Sequence, residues 1–395
     1  MEWKTVKLGE IVRRKIGYGI VQPGESRPCG VPVIKVNNII AGLTSVDDLE
    51  KTTEEIECKY QRTRLQGGEL IISLVGSVGN TAIVPKSFKG CNLVRATGLI
   101  DIEDPFLTKW VKYYIDSPLG QYYIKSNLNT TVQATLNVKS LVDMPIPMPD
   151  NRIIGQIATI LSSLDDKIEN NNRINRNLEA QAQALFKSWF VDFEPWGGTM
   201  PEDWKEGTLG EIADFNKRKV GPKFANPIQY LDTGHLTEGV IEGYQRFYPG
   251  DKIPSSARRY VGEGDILFSL CRPNMRHYGL MMNPPEDIVA STGFAVITAN
   301  WSGYRYYIYQ WLKQDGIIDN IHAVAEQSST TYPTIDVDYL AGMTMVIPSI
   351  ADTERYALLC RDLYSKIESN YQENLRLATL RDTLLPKLMK GEITL

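Results

Sequence analysis

Apolar residues recur in alternating steps of four and three along two segments, near residues 155–190 and 355–390. This spacing is the a/d pattern of a helix that buries one stripe of side chains against another helix. Two asparagines interrupt each stripe at matching central positions. The stripe positions are Ile157, Leu161, Leu164, Ile168, Asn171, Asn175, Leu178, Ala182, Leu185 and Trp189 in the first segment, and Tyr356, Cys360, Leu363, Ile367, Asn370, Asn374, Leu377, Arg381, Leu384 and Leu388 in the second.

The two stripes complement each other if the helices pair antiparallel. Asn171 then lies opposite Asn374 and Asn175 opposite Asn370, so that polar meets polar and the apolar positions face one another. A buried amide needs a polar partner, and asparagine in a helical seam sets the register at some cost in stability. The alternative is that each helix packs only on its own domain. The asparagines favour an intramolecular antiparallel coiled coil, about 50 Å long at the helical rise per residue.

The rest of the sequence is an internal repeat, with two similar copies offset by about 200 residues. Residues 68–74 (GELIISL) return as residues 264–270 (GDILFSL), and Thr97-Gly98 is matched with Thr292-Gly293. Within each copy, short β-branched and aromatic runs alternate with Gly, Pro and Asn, which is typical of strands and loops. We therefore expect an α+β fold of two similar globular domains, residues 1–150 and 196–351. Long helices at 151–195 and 352–395 would separate them and pair about a pseudo-twofold axis.

Composition limits the class of protein only broadly. The 395 residues suffice for two domains, and the formal net charge is −4. No segment is strongly basic, so any nucleic-acid site has to be a local patch. The five cysteines form no CxxC pair, which argues against a metal clip and fits a reducing compartment. The first residues resemble no leader, and no stretch is apolar enough for a membrane span, so we expect a cytoplasmic protein with no membrane partner.

The order of these segments resembles the specificity subunits of Type I restriction–modification enzymes. The resemblance covers the whole chain and rests on residues 68–74 with the Gly76-Ser77-Val78-Gly79 loop, on the Pro147-Met148-Pro149 exit into the first helix, and on residues 384–391 (LLPKLMKG) near the end. It implies two target recognition domains, each reading one half of a bipartite site in double-stranded DNA. The coil would set the spacing and dock two methyltransferase subunits, and two restriction–translocase subunits would join. S-adenosylmethionine, ATP and Mg²⁺ would belong to those partners, with no cofactor on this chain.

Polar loops in both copies supply the candidate DNA-binding residues, because base edges are read by Arg, Lys, Asn and Gln, and phosphates also by hydroxyl groups. In the first domain the candidates are Lys35, Asn37, Asn38, Ser77, Thr130, Thr131 and Gln133. In the second they are Arg218, Lys219, Arg258, Arg259, Arg272, Asn274, Arg276, Thr330 and Tyr332. The plain alternative for each is an ordinary solvated turn.

A second apolar stripe lies beside the seam near the end of the first helix, at Phe186, Phe190 and Phe193. It either covers the second domain or forms a docking face for a methyltransferase helix, since exposed aromatic clusters mark interfaces.

Catalytic signatures are missing from the sequence. Residues 283–286 (NPPE) have glutamate where amino-methyltransferases carry an aromatic residue after the two prolines, and the sequence has no GxxxxGK[ST] phosphate loop. Glu69 and Asp265 are expected to occupy solvated turns, and the three histidines have no metal-ligand spacing. We therefore expect a non-catalytic chain without a metal site. The rival hypothesis from another class is a two-lobed protein–protein scaffold that does not read DNA sequence.

Overall fold

A computed structural model of the chain describes residues 3–43, 45–129, 133–221, 224–327 and 333–393. They divide into two compact units: unit 1 comprises residues 1–169 and 374–395, and unit 2 comprises residues 170–373. Each unit mixes helices and sheets, as the α+β prediction requires. The division falls inside both long helices, whereas the sequence-based boundaries assigned each long helix to a segment of its own.

The first copy consists of short strands around a few short helices, followed by the first long helix. Its strands are β1 (Lys4–Lys7), β2 (Arg14–Tyr18), β3 (Val31–Ile34), β4 (Lys51–Thr52), β5 (Leu70–Ser73), β6 (Thr81–Ile83), β7 (Asn92–Leu93), β8 (Thr97–Asp101), β9 (Leu128–Asn129), β10 (Thr135–Leu136) and β11 (Pro145–Met148). Its helices are α1 (Val36–Ala41), α2 (Glu54–Glu57), α3 (Pro105–Asp116), α4 (Pro118–Ser126), α5 (Val138–Val142) and the long α6 (Asn151–Phe190).

The second copy repeats this plan. Its strands are β12 (Lys205–Thr208), β13 (Ala213–Phe215), β14 (Ile228–Leu231), β15 (Leu236–Thr237), β16 (Val240–Ile241), β17 (Gln245–Phe247), β18 (Ala257–Tyr260), β19 (Ile266–Ser269), β20 (Tyr278–Leu280), β21 (Ile288–Ser291), β22 (Phe294–Ala299) and β23 (Thr344–Ile347). Its helices are α7 (Leu209–Ile212), α8 (Tyr304–Leu312), α9 (Asp315–Glu326), α10 (Val337–Ala341) and the long α11 (Ile350–Met389).

Sheet topology confirms the internal repeat. An antiparallel sheet has the order β2-β8-β5-β6 in unit 1 and β13-β22-β19-β20 in unit 2. A second sheet contains one parallel pair in each unit, β3 with β7 and β14 with β21. The chain ends of each domain also pair in the same way, β1 with β11 and β12 with β23.

Strand register corrects one detail of the repeat. Thr97 lies opposite Ser73, whereas the residue opposite Ser269, the counterpart of Ser73, is Phe294. The counterpart of Thr97 is therefore Phe294, not Thr292. A Thr-Gly pair is too short and too common a signal to fix an alignment, whereas ladder pairing fixes every residue of a strand.

The apolar run of residues 70–73 is buried throughout because its strand lies between two apolar clusters. Leu70 and Ile72 face the cluster around Trp110, while Ile71 faces a smaller cluster with Leu99. In unit 2, Ile266 and Phe268 face one cluster and Leu267 another. A strand that is covered on both faces shows consecutive hydrophobic residues in the sequence, and not an alternation of hydrophobic and polar residues.

The long helices bury the predicted seam. None of the twenty stripe positions is exposed. Within unit 1, Ile157 and Leu161 share a cluster with Leu388, and within unit 2, Ala182 shares one with Tyr356 and Cys360. This pairing of early with late residues is the antiparallel arrangement that the stripes predict.

The helix ends differ from the prediction. Helix α6 ends at Phe190 and not at residue 195, because Phe193 and Gly197 adopt left-handed backbone conformations (φ 52° and 72°) around Pro195. Helix α11 ends at Met389, and Gly391 beyond it has φ 66°. A heptad pattern marks which face is buried, but the local turn residues decide where the helix stops.

Asparagine and charged residues make specific contacts between the helices. Asn370 Nδ2 donates to Asn175 Oδ1 at 2.8 Å, which confirms one of the two predicted asparagine pairs. Asn171 Nδ2 donates to Glu373 Oε2 at 2.8 Å, and the pairing of Asn171 with Asn374 stays a prediction. These contacts give the buried Nδ2 groups of Asn171 and Asn370 the acceptors that they need.

Each unit also contains a polar cluster that ties a domain helix to both long helices. In unit 1, Asp165 accepts from Tyr113 Oη at 2.6 Å and from Arg381 Nη1 at 2.9 Å. In unit 2, Glu179 accepts from Lys313, Gln310 and Tyr364. Only 5% of the Lys313 side chain is exposed, and its burial lowers the pKa of the ammonium group, an effect that Glu179 opposes.

We expect an Asn175→Ala substitution to destabilise the helix pair, because it leaves the buried Asn370 amide without its acceptor. The loss should be about 1–3 kcal/mol, seen as a lower midpoint of thermal unfolding. The Gln181→Ala variant, at an exposed position of the same helix, serves as the control. Replacing Asn175 and Asn370 together by leucine should recover most of the loss. A double variant that loses the sum of both single effects would contradict a direct pairing of the two side chains.

Candidate nucleic-acid interface

Four loops of the first domain meet at one end of the β2-β8-β5-β6 sheet. Here β2 and β5 end, at Tyr18 and Ser73, and β8 begins, at Thr97. We call this surface the first loop end, and it comprises residues 18–22, 74–80, 94–97 and 133–136. Three backbone hydrogen bonds join the loops: Leu74 N to Ala96 O at 2.7 Å, Gly76 N to Ala134 O at 2.9 Å and Leu136 N to Leu74 O at 2.8 Å.

The second domain repeats these three bonds with different residues. They are Leu270 N to Gly293 O at 2.8 Å, Arg272 N to Pro333 O at 2.9 Å and Ile335 N to Leu270 O at 3.0 Å. The second loop end accordingly comprises residues 270–277, 291–294 and 333–335. Because every one of these bonds joins main-chain atoms, the two surfaces share a backbone frame while their side chains differ.

Neither loop end carries a carboxylate, although the chain has more acidic than basic residues. The first loop end has one charged side chain, Arg95, beside the uncharged polar groups of Tyr18, Ser77 and Gln133. The second has Arg272 and Arg276. Loops that contribute no carboxylate of their own can approach phosphates with little like-charge repulsion, although Asp315 pairs with Arg276 at the second loop end.

Two of the first-domain candidates lie at the first loop end. Ser77 and Gln133 are exposed, and the amide of Gln133 lies beside Gly76, where an added Cβ would be 3.1 Å from Nε2. The Ser77 carbonyl accepts from Ser73 Oγ at 2.6 Å and from Asn80 Nδ2 at 2.7 Å, which holds the loop in shape.

The other described first-domain candidates belong to the start of α1. Asn38 Oδ1 accepts from Lys35 N at 2.8 Å, so this side chain caps the helix, and Lys35 Nζ forms an ion pair with Glu50. Asn37 is exposed. The capping bond gives Asn38 a structural role that the sequence-based candidate set did not assign to it.

In the second domain, Arg272 and Asn274 are exposed at the second loop end. Arg272 has φ 48° at the position where the first domain has Gly76 with φ 78°. Glycine adopts this left-handed conformation freely, whereas it costs another residue about 1–3 kcal/mol. Arg276 also lies here, but its guanidinium donates to Asp315 at 2.6 Å. This bond raises the pKa of Arg276 and pairs its positive charge with a carboxylate.

Arg218 has a structural role. It donates to Asp265 Oδ2 at 2.6 Å, and Asp265 also accepts from Gly262 N at 2.8 Å and from Thr298 Oγ1 at 2.7 Å. Asp265 is 1% exposed, so the expectation of a solvated carboxylate in a turn is wrong. The same correction applies to Glu69, which is 3% exposed and accepts from Arg14 Nη2 at 2.8 Å. A turn signal in the sequence does not reveal that a neighbouring strand covers the turn.

The remaining second-domain candidates lie on or beside β18. Lys219 is exposed and forms a β-bridge with Arg259. Arg258 donates to the carbonyl of Ala257 at 2.9 Å. Arg259 is partly buried, its burial lowers the pKa of the guanidinium, and its Nη1 has no hydrogen-bond partner among the described residues. Thr130, Thr131, Thr330 and Tyr332 lie outside the described residues.

The phenylalanine stripe is not a docking face. Phe186 and Phe190 are 2% and 7% exposed and pack with Tyr307 and Tyr356 in the core of unit 2, where Phe193 also contacts Trp204. The alternative, that these rings cover the second domain, is confirmed. Periodicity identifies an apolar face, but it cannot tell whether the chain's own domain or another protein covers it.

Arg95 is not among the DNA-binding candidates predicted from the sequence, because it stands alone between apolar residues, in Val94-Arg95-Ala96. The candidate residues were sought in polar runs. Only the pairing of β8 with β5 brings the turn that contains Arg95 to the loop that follows β5.

Comparison with known proteins matches residues 1–180 to the family described as Type I restriction modification DNA specificity domain. The MjaIX specificity subunit of a Type I restriction enzyme from Methanocaldococcus jannaschii is 25% identical over 307 residues, covering 74% of this chain and 70% of the relative. The EcoDI specificity subunit of Escherichia coli is 21% identical over 430 residues, covering 100% of this chain and 89% of the relative.

Residues 1–180 therefore match the DNA specificity domain of Type I restriction–modification systems, and the relatives that match over longer stretches are Type I restriction enzyme specificity subunits. The crystal structure of a Type I restriction–modification S subunit from M. genitalium shares the fold, with a TM-score of 0.58 and 17% identity over 98% of this chain and 96% of that chain. Among the described residues of this chain, no three His, Cys, Asp or Glu side chains are grouped as metal ligands would be. None of the helices in the described ranges combines the length and apolar character of a bilayer crossing.

We expect an Arg218→Ala substitution to lower stability without changing the DNA sequence recognised, because the lost contact holds a buried carboxylate and not a base. Half of the Arg218 side chain is exposed (51%), so solvent screening limits the loss to about 1–2 kcal/mol. The measurement is thermal unfolding, together with the methylation motif of the assembled enzyme. Lys217→Ala is the matched control, since it breaks an exposed pair with Asp214 and should cost little. An altered motif with unchanged stability would return Arg218 to the DNA-reading residues.

Proposed function

We propose that this chain is the DNA-sequence specificity subunit of a Type I restriction–modification complex, with each domain reading one half of a bipartite site. The observation that carries the proposal is the repeated loop end. Two domains of one topology present the same main-chain frame, free of carboxylates, with different polar side chains. Such a pair of surfaces suits two unlike half-sites on double-stranded DNA, since base edges are distinguished by side chains and not by the frame.

The long helices would set the distance between the half-sites. Half-sites that are read from one face of DNA lie about one helical turn, ~34–36 Å, apart. The buried asparagine pair and the Asp165 and Glu179 clusters support a fixed helix register, which a measuring element requires.

We infer that catalysis resides in partner subunits. Two methyltransferase subunits would dock along the helices and modify an adenine in each half-site, and two restriction–translocase subunits would complete the enzyme. In this proposal S-adenosylmethionine, ATP and Mg²⁺ are bound by those partners. Docking surfaces on the helices have to lie outside the Phe186, Phe190 and Phe193 stripe, because the second domain already covers it.

The decisive experiment is a genome-wide map of adenine methylation in the host with and without this gene, while the partner methyltransferase is expressed. We expect one split motif, methylated on both strands, to disappear with the gene and to return on complementation. An unchanged map would reject the proposal and favour a protein–protein scaffold, whose DNA affinity would also depend little on salt.

Reciprocal substitutions test the division of labour. A combined Ser77→Ala and Gln133→Ala variant should alter only the first half of the motif, and Asn274→Ala only the second, because each residue is exposed at one loop end. Each variant is the control for the other in expression, assembly and methylation of the untouched half. A change in both halves from either variant would contradict independent reading.

A further inference from the structure

We infer that Arg95 reads a base in the half-site of the first domain, and that the two domains take their reading arginine from different loops. The inference rests on the proposed function and names a contact within it.

Hydrogen bonds fix the backbone of the turn that contains Arg95. Thr97 N donates to Val94 O at 3.0 Å and closes the turn, and Thr97 Oγ1 donates to the same carbonyl at 2.8 Å. Arg95 N donates to Ile20 O at 2.7 Å, and Ala96 O accepts from Leu74 N at 2.7 Å. The turn is therefore tied to the ends of both neighbouring strands. Binding would immobilise only the arginine side chain, which limits the entropic cost of a precise contact.

The guanidinium of Arg95 is exposed and has no hydrogen-bond or ion-pair partner among the described residues. Two other arginines of this domain are occupied: Arg14 binds Asp101 and Glu69, and Arg64 binds Glu57. The loops of the first loop end contain no acidic residue, so they supply no carboxylate that would compete with DNA for the guanidinium. Its neighbours at the loop end, Ser77 and Gln133, supply uncharged groups that also read base edges.

The register of the strands identifies the counterpart of Arg95 as Thr292. Ala96 and Gly293 accept the equivalent bonds from Leu74 and Leu270, which places Arg95 and Thr292 one residue before them at the same turn. In the adjacent loop it is the second domain that carries the arginine, since the first domain has Gly76 where the second has Arg272. Each loop end thus has an exposed arginine where the other has a small side chain or none.

A planar guanidinium on a fixed backbone matches the O6 and N7 acceptors of guanine, the commonest specific protein–DNA contact. Because Arg95 and Arg272 project from different loops, the guanine that each would read takes a different place within its half-site. The two half-sites would then differ in sequence, and the complete site would not be palindromic.

The test is the methylation motif of the assembled enzyme with Arg95→Ala, Arg95→Lys and Lys86→Ala. Lys86 is the matched control, because it is exposed, carries the same charge and lies beside Gly67, at the opposite end of β5. We expect Arg95→Ala to relax one position of the first half-site, where discrimination for guanine should fall roughly 10- to 100-fold, the range that corresponds to one bidentate contact. Lysine should restore it only in part, since it lacks the planar fork. The second half-site, the spacing and the Lys86→Ala motif should stay unchanged.

Three results would overturn the inference. A uniform fall in methylation with an unchanged motif would make Arg95 a phosphate contact, and the salt dependence of binding would then weaken by about one charge. A variant that behaves as the parent would remove Arg95 from the interface. Relaxation at a position that is not guanine would contradict the assigned chemistry. If the parent chain directs no split motif, the proposed function fails instead, so the two failures are distinguishable.

Discussion

Polar groups on the long helices need polar partners inside a largely apolar seam, and this requirement fixes how the helices align within each unit. Asn175 meets Asn370 in unit 2, and Asp165 meets Arg381 in unit 1. A shift of either helix by one turn would leave the buried Asn370 amide without its partner, at a cost of about 1–3 kcal/mol, and would break the partly buried Asp165–Arg381 pair. Apolar contacts such as Ile157 with Leu388 tolerate small slips. The polar contacts do not, and they therefore set the register.

The same helices also form part of each domain's core. Leu388 packs in the cluster around Trp110, and Tyr356 packs against Phe190. Domain helices reach the long helices through the Tyr113–Asp165 and Lys313–Glu179 contacts. Because apolar burial and polar pairing act on the same helices, each domain packs directly on the helices that are proposed to set the spacing.

Features that arise from residues repeated at a fixed spacing can be predicted from the sequence. The heptad stripes predict the buried seam and the antiparallel pairing, and the internal repeat predicts two domains of one topology. Features that depend on three-dimensional covering are not predictable in this way. The sequence leaves open whether Phe186 and Phe190 are covered and predicts solvated turns at Glu69 and Asp265, yet neighbouring elements bury all four residues. Arg95 and Arg218 show the same limit, since only strand pairing reveals that one arginine is free at a loop end while the other neutralises a carboxylate.

The three main-chain hydrogen bonds of each loop end have a consequence for how recognition changes over evolutionary time. No side chain takes part in them, so the frame does not depend on which residues project from it, provided that the left-handed position tolerates its occupant. Glycine and arginine both occupy that position in this chain. Substitutions on such a surface leave the core and the helix seam untouched, so outside the left-handed position a new half-site can arise at little cost in stability. Duplication then allows one domain to diverge while the other retains its original target.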